Sequence, residues 1–144
     1  MSVLSLAILI FIILESLNIV TLYFNPDATR GNGPGVFKAW EKSKADPEMH
    51  QFVRYLVFWV AGVKLIFIAL LLVILFTASE QTKLISLIAL IISVASYYWR
   101  LHPIIRALDE RGQIKPEGYS RTLGIMIAAF IALFVFALIG SFLS

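Results

Sequence analysis

The chain has 144 residues, 60% of them hydrophobic, with a mean hydropathy of +0.88 and a formal net charge of +3. Soluble domains average about 45–50% apolar residues, so this composition excludes an ordinary water-soluble domain and points to an integral membrane protein. The absence of cysteine excludes disulfides, thiol chemistry and iron–sulfur ligation by this chain.

The first apolar run, residues 3–24, is long enough to cross a hydrocarbon core, which takes about 20 helical residues. No basic segment precedes it and no small-x-small cleavage site follows, so it reads as a retained helix and not as a signal peptide. Glu15 lies in its interior, where a charge costs roughly 2.5–3.5 kcal/mol on insertion scales and calls for a partner or a watery cavity. Asn25-Pro26 ends the run, since proline cannot donate the next helical bond.

The connection 25–54 opens with the turn-rich Arg30-Gly-Asn-Gly-Pro-Gly35. No strand precedes it and no Walker lysine follows, so a plain loop explains these glycines better than a phosphate loop does. Residues 36–44 place Val36, Phe37 and Trp40 on one side and Lys38, Glu41, Lys42 and Lys44 elsewhere. Two arrangements fit that pattern: a helix lying in the membrane interface, or one packed on the protein's own end. Asp46-Pro47-Glu48 has the form of a helix start, with a capping acid, a proline at the first position and an acid in the first turn. The second span covers 55–76 and contains Lys64, the only other charge set as deep as Glu15.

A short connection capped by Thr77 or Ser79 makes the second span and the third, 83–100, antiparallel neighbours. The third span carries Ser86, Ala89, Ser93 and Ser96 at helical spacing, a seam that allows close helix approach. Residues 101–121 hold a second amphipathic stretch with Leu101, Ile104, Ile105 and Leu108 on its apolar side. Pro103 either begins that helix or interrupts an extension of the third span, and Gly112 ends it. The fourth span, 122–143, is free of charge and has small residues at Gly124, Ala128 and Ala132.

Basic residues set the expected orientation. Arg30, Lys38, Lys42, Lys44 and Arg54 lie in the first long connection, and Arg100, Arg106, Arg111, Lys115 and Arg121 in the second. Lys83 stands alone between the second and third spans. That bias places both long connections in the cytoplasm and both termini outside. All tryptophans and tyrosines (Tyr23, Trp40, Tyr55, Trp59, Tyr97, Tyr98, Trp99 and Tyr119) fall on or near the same face, where amphipathic rings favour headgroups. Lys38, Trp40, Arg54, Arg100, Arg106 and Arg121 are the expected headgroup contacts.

Glu15 precedes Phe24 by nine residues and Lys64 follows Tyr55 by nine. At 1.5 Å per residue both sit about 13 Å from the same boundary. An ion pair between them therefore needs no further assumption. Asn18 lies one turn from Glu15 on the same face, and Ser93 stands at a comparable height on the third span. The expectation is a buried polar layer of Glu15, Asn18, Lys64 and Ser93. It serves either to fix helix rotation or to bind and release a proton or cation.

A membrane-embedded glutamate in the first of four helices resembles, in architecture, the small multidrug exporters. Two long basic connections, Lys64 and the lack of a shared motif separate this chain from that family. His50 and His102 lack ligand spacing, and no paired-carboxylate or Ser-His-Asp pattern is present, so neither a metal nor another cofactor is expected and an enzyme is disfavoured. The basic connections are too sparse for nucleic-acid binding.

The expected fold is an all-α, four-transmembrane-helix bundle in one domain, with both termini outside and two amphipathic interfacial segments on the cytoplasmic side. The expected setting is the cell membrane, with a second copy or a larger membrane protein as partner besides the lipid bilayer. Three functions fit: a transporter or channel component using Glu15 and Lys64, a non-catalytic accessory subunit, and an enzyme acting on lipid headgroups.

Overall fold

The computed structural model describes residues 1–29 and 32–143. Arg30 and Gly31, at the start of the turn-rich segment, lie outside the described residues, as does Ser144. The elements are α1 (Val3–Phe24), a 3-10 turn (Pro34–Val36), α2 (Lys38–Ser43), α3 (Pro47–Thr77), α4 (Glu80–Ala95), α5 (Tyr97–Glu110) and α6 (Tyr119–Leu143). Four helices are long and apolar enough to cross a membrane: α1, α3, α6, and α4 with α5 taken as one run from Glu80 to Glu110.

Local chemistry accounts for the helix ends. Ser2 caps α1 by accepting from Ser5 N, and Asp46 caps α3 by accepting from Glu48 N and Met49 N ahead of Pro47. Of the two candidates for the start of α4, Ser79 takes the cap and accepts from Thr82 N. Only Ser96 separates α4 from α5, and Pro103 lies within α5, so the chain extends the third span and does not begin a separate helix at the proline. Gly112 closes α5 at φ +64°, a left-handed conformation that a residue without Cβ adopts freely.

α1 packs against α3, α4 and α6, and α4 packs against α6. Phe11 of α1 is the centre of this core, with edge-on contacts to Phe67, Phe130 and Phe134 at centroid distances of 6.0, 5.1 and 5.2 Å. Around it lie Ile8, Leu71, Leu87, Leu90 and Ala137. The outward faces are apolar too: Leu17, Trp59, Ile66, Leu70, Val73 and Phe136 are all exposed. Apolar area on that scale is stable only against lipid or another protein.

The termini and the α3–α4 turn share one end of the bundle, where Met1 and Ser2 line a pocket with Glu80 and Gln81. At the opposite, basic end the two long connections bind each other. Phe37 and Ile114 form an antiparallel bridge, with Lys38 N donating to Gln113 O at 2.9 Å and Lys115 N to Val36 O at 2.8 Å. A second core of Val36, Tyr97, Ile105, Ile114, Tyr119 and Leu123 seals this end.

Candidate functional site

α1 runs toward the basic end and α3 runs away from it, so residues equally distant from that end face each other. Lys64 Nζ donates to Glu15 Oε2 at 2.7 Å and to Asn18 Oδ1 at 2.6 Å. Glu15 and Asn18 are three residues apart and share a helix face, which lets one ammonium reach both.

The pair is not sealed inside the helix contact. The Lys64 and Glu15 side chains keep 26% and 20% of their exposure, because with Asn18 they line a cavity of about 260 Å³ between α1 and α6. Its other walls include Leu14 and Leu17 of α1 and Leu123, Met126 and Phe130 of α6. Thr21 lines it one turn beyond Asn18, and Asn32 lines it at the basic end. Polar groups therefore run from mid-helix to the connection, in a space with room for several waters at about 30 Å³ each.

Ser93 does not join this group. It is exposed on α4 and is not among the residues lining the cavity. α4 turns Lys83, Leu87 and Leu90 inward, and the stripe of Ser86, Ala89, Ser93 and Ser96 falls one residue out of step with them. Ala89, Ser93 and Ser96 are exposed and Ser86 is half-buried, so no helix among the described residues covers that seam. On α6, Ala128 and Ala132 are exposed as well, and Gly124 alone of its stripe is buried. Tyr98 of α5 donates to Gly124 O at 2.6 Å, and a Cβ at Gly124 would stand 3.4 Å from His102 Nε2.

Arg54, Arg100, Arg106 and Arg121 are exposed at or near the basic end, and Lys38 is half-buried there. Arg54 lies over Phe58 at 5.4 Å and Arg100 over Trp99 at 4.8 Å. Trp40 departs from the headgroup expectation: it is buried, and its indole N–H donates to Asp27 Oδ1 at 2.6 Å. α2 packs on α3 with Trp40 and Ser43 inward, so the ring is enclosed by protein. Lys44 Nζ also binds Asp27 Oδ1, at 2.7 Å, and these two donors hold the Asp27 carboxyl below its ordinary pKa. Sequence patterning gives Trp40 an aromatic-belt role because it cannot show an acceptor 13 residues away.

Lys83 carries a further structural contact that charge counting assigns to a loop. It is buried and donates to Ser5 Oγ and Glu80 Oε1, both at 2.9 Å, tying α4 to the start of α1. The histidines occupy separate surroundings: His50 Nδ1 meets Ser43 Oγ at 2.9 Å, whereas His102 packs on Tyr97 and Tyr98. Among the described residues, no three His, Cys, Asp or Glu side chains converge as a metal-ligand set.

These features define an all-helical bundle with four helices of membrane-spanning length and a lysine–glutamate pair beside an internal cleft. Comparison with protein-family models, curated proteins and solved structures gives no match, so a functional reading has to come from the site.

Proposed function

We propose that the protein is a small membrane transporter or channel component in which Glu15 is the ion-responsive group. The observation that carries this reading is the position of the Glu15–Lys64 pair on the wall of a mainly apolar cavity that also holds Asn18, Thr21 and Asn32, and not within a closed helix contact. A proton or cation taken up by Glu15 competes with Lys64 for the carboxylate. Lys64 then keeps Asn18 as its acceptor, so the exchange does not leave the ammonium bare. Thr21 and Asn32 continue the polar wall toward the basic end. By its distribution of lysines and arginines, that end faces the cytoplasm.

The test is flux through purified protein in liposomes carrying a pH-sensitive dye or loaded with an alkali cation. The wild type should pass protons or a cation, and Glu15→Gln should abolish the flux while remaining folded and monodisperse. Equal flux in the variant, or none in the wild type under either gradient, would overturn the proposal.

A second reading, an accessory subunit of a larger membrane complex, is favoured by the exposed Ala89, Ser93 and Ser96 face of α4. It predicts that the protein copurifies with a membrane partner and that a bulky residue at Ala89 releases that partner.

A further inference from the structure

On the far side of α6 from the ion pair, the α5–α6 contact opens into a groove of about 840 Å³. That lies within the roughly 300–1,000 Å³ typical of small-molecule sites. Its floor is fixed by two tethers: the Tyr98 bond to Gly124 O, and Asp109, whose carboxylate accepts from Gly118 N at 3.1 Å and Ser120 N at 2.9 Å.

The groove contains side-chain charges of both signs with no partner among the described residues. Arg106 is bound to Glu110 at 2.8 Å, but the side chains of Arg121 and Glu117 line the same groove without a hydrogen bond or ion pair among the described residues. A ligand carrying only an anion would face Glu117 as well as Arg121, and one carrying only a cation would face Arg121. The complementary ligand carries both charges.

The groove also crosses a boundary. Arg106, Asp109 and Glu110 of α5 and Glu117 and Arg121 hold its charges, whereas Ile125 and Ala128 continue it along a stretch of α6 that has no charged residue after Arg121. That polar-to-apolar gradient matches a phospholipid, with its headgroup at Arg121 and an acyl chain beside Ile125 and Ala128.

We propose that the α5–α6 groove binds a zwitterionic phospholipid, the phosphate on Arg121 and the ammonium on Glu117. It is independent of the Glu15–Lys64 cleft, and its ligand needs no transport activity to be detected.

Delipidated full-length protein in detergent would be titrated with short-chain phosphatidylethanolamine, phosphatidylglycerol and free phosphoethanolamine, followed by native mass spectrometry. Phosphatidylethanolamine should bind at least about tenfold tighter than either of the others, the scale of one charged hydrogen bond. Arg121→Gln should weaken binding of both lipids, and Glu117→Gln should weaken only phosphatidylethanolamine. Both side chains are exposed and unbonded, so neither change should disturb folding. Ala128→Phe provides a variant that leaves every charge in place; it should weaken the lipid but not phosphoethanolamine. Equal binding of phosphatidylglycerol, or indifference of phosphatidylethanolamine to Glu117→Gln, would overturn the zwitterionic assignment. Phosphoethanolamine binding as tight as the lipid would overturn the lipid itself.

Discussion

The ammonium of Lys64 meets the carboxylate of Glu15 at 2.7 Å across 49 residues of sequence. Two opposed costs bear on this contact: desolvating both charges, and stranding either one when its partner is removed. Here the cavity softens both, because the two side chains keep part of their exposure on its wall. Glu15→Gln still leaves Lys64 two acceptors, Asn18 Oδ1 and the new amide oxygen, so it should lower stability by only about 1–2 kcal/mol. Lys64→Met leaves the Glu15 carboxylate without its cation. A double-mutant cycle of Glu15→Gln and Lys64→Met, read by unfolding in detergent, should therefore return a coupling of about 0.5–3 kcal/mol. Strict additivity would show that the two groups do not interact, despite their distance.

Asn18 separates the two roles of the pair. Asn18→Leu removes one of the two acceptors of Lys64 and should destabilise the protein by about 1–3 kcal/mol. In the liposome assay it should slow flux without abolishing it, since Glu15 keeps its own chemistry while Lys64 loses the acceptor that holds it during exchange. Unchanged stability and unchanged flux together would remove Asn18 from the site.

Glu15, Lys64 and Asn18 were legible in the sequence because a charge in an apolar helix is conspicuous and depth can be counted from the helix ends. The caps at Asp46 and Ser79 were legible for a similar reason, since capping depends on a few adjacent residues. Ser93 was not. α4 is apolar on most sides, so its pattern does not say which face turns inward, and a rotation by one residue moves Ser93 from the layer to the outside. The small-residue stripes fail on the same point: their spacing fixes a common face but not what that face meets. Trp40 meets its acceptor 13 residues away within one connection, and the Phe37–Ile114 bridge joins two connections remote in sequence; no local pattern records either contact.

The Asp27 cluster makes the basic end sensitive to acid. Lys44 and Trp40 both donate to this carboxylate and hold its pKa below 3.8, so the folded state favours the charged form. Its contribution is then present above that ordinary value and is lost as pH falls through the lower, folded-state value. In a background with Trp59 and Trp99 replaced by phenylalanine, the emission of Trp40 should change in that acidic window and remain steady above it. Asp27→Asn should remove the transition, because the amide has no proton to gain. A transition that survives in Asp27→Asn would assign the titration to another group.

Gly35 tests the packing of the same connection. A Cβ built there would stand 2.3 Å from Asp27 O and 2.7 Å from Ala28 O, and these are backbone atoms that no rotamer change can move aside. Gly35 N also donates to Pro26 O at 2.9 Å, which fixes the approach. Gly35→Ala should therefore cost at least the roughly 1–3 kcal/mol of ordinary overpacking. It should also displace Asp27 from Trp40, visible as a shift in Trp40 emission at neutral pH. Gly62→Ala is the matched control, since the added methyl meets only the Tyr23 hydroxyl at 3.6 Å, an ordinary contact. Within a helix interior alanine is also preferred over glycine by about 1 kcal/mol, so that variant should be neutral or more stable. Equal behaviour of the two variants would mean that the connection does not close on Asp27.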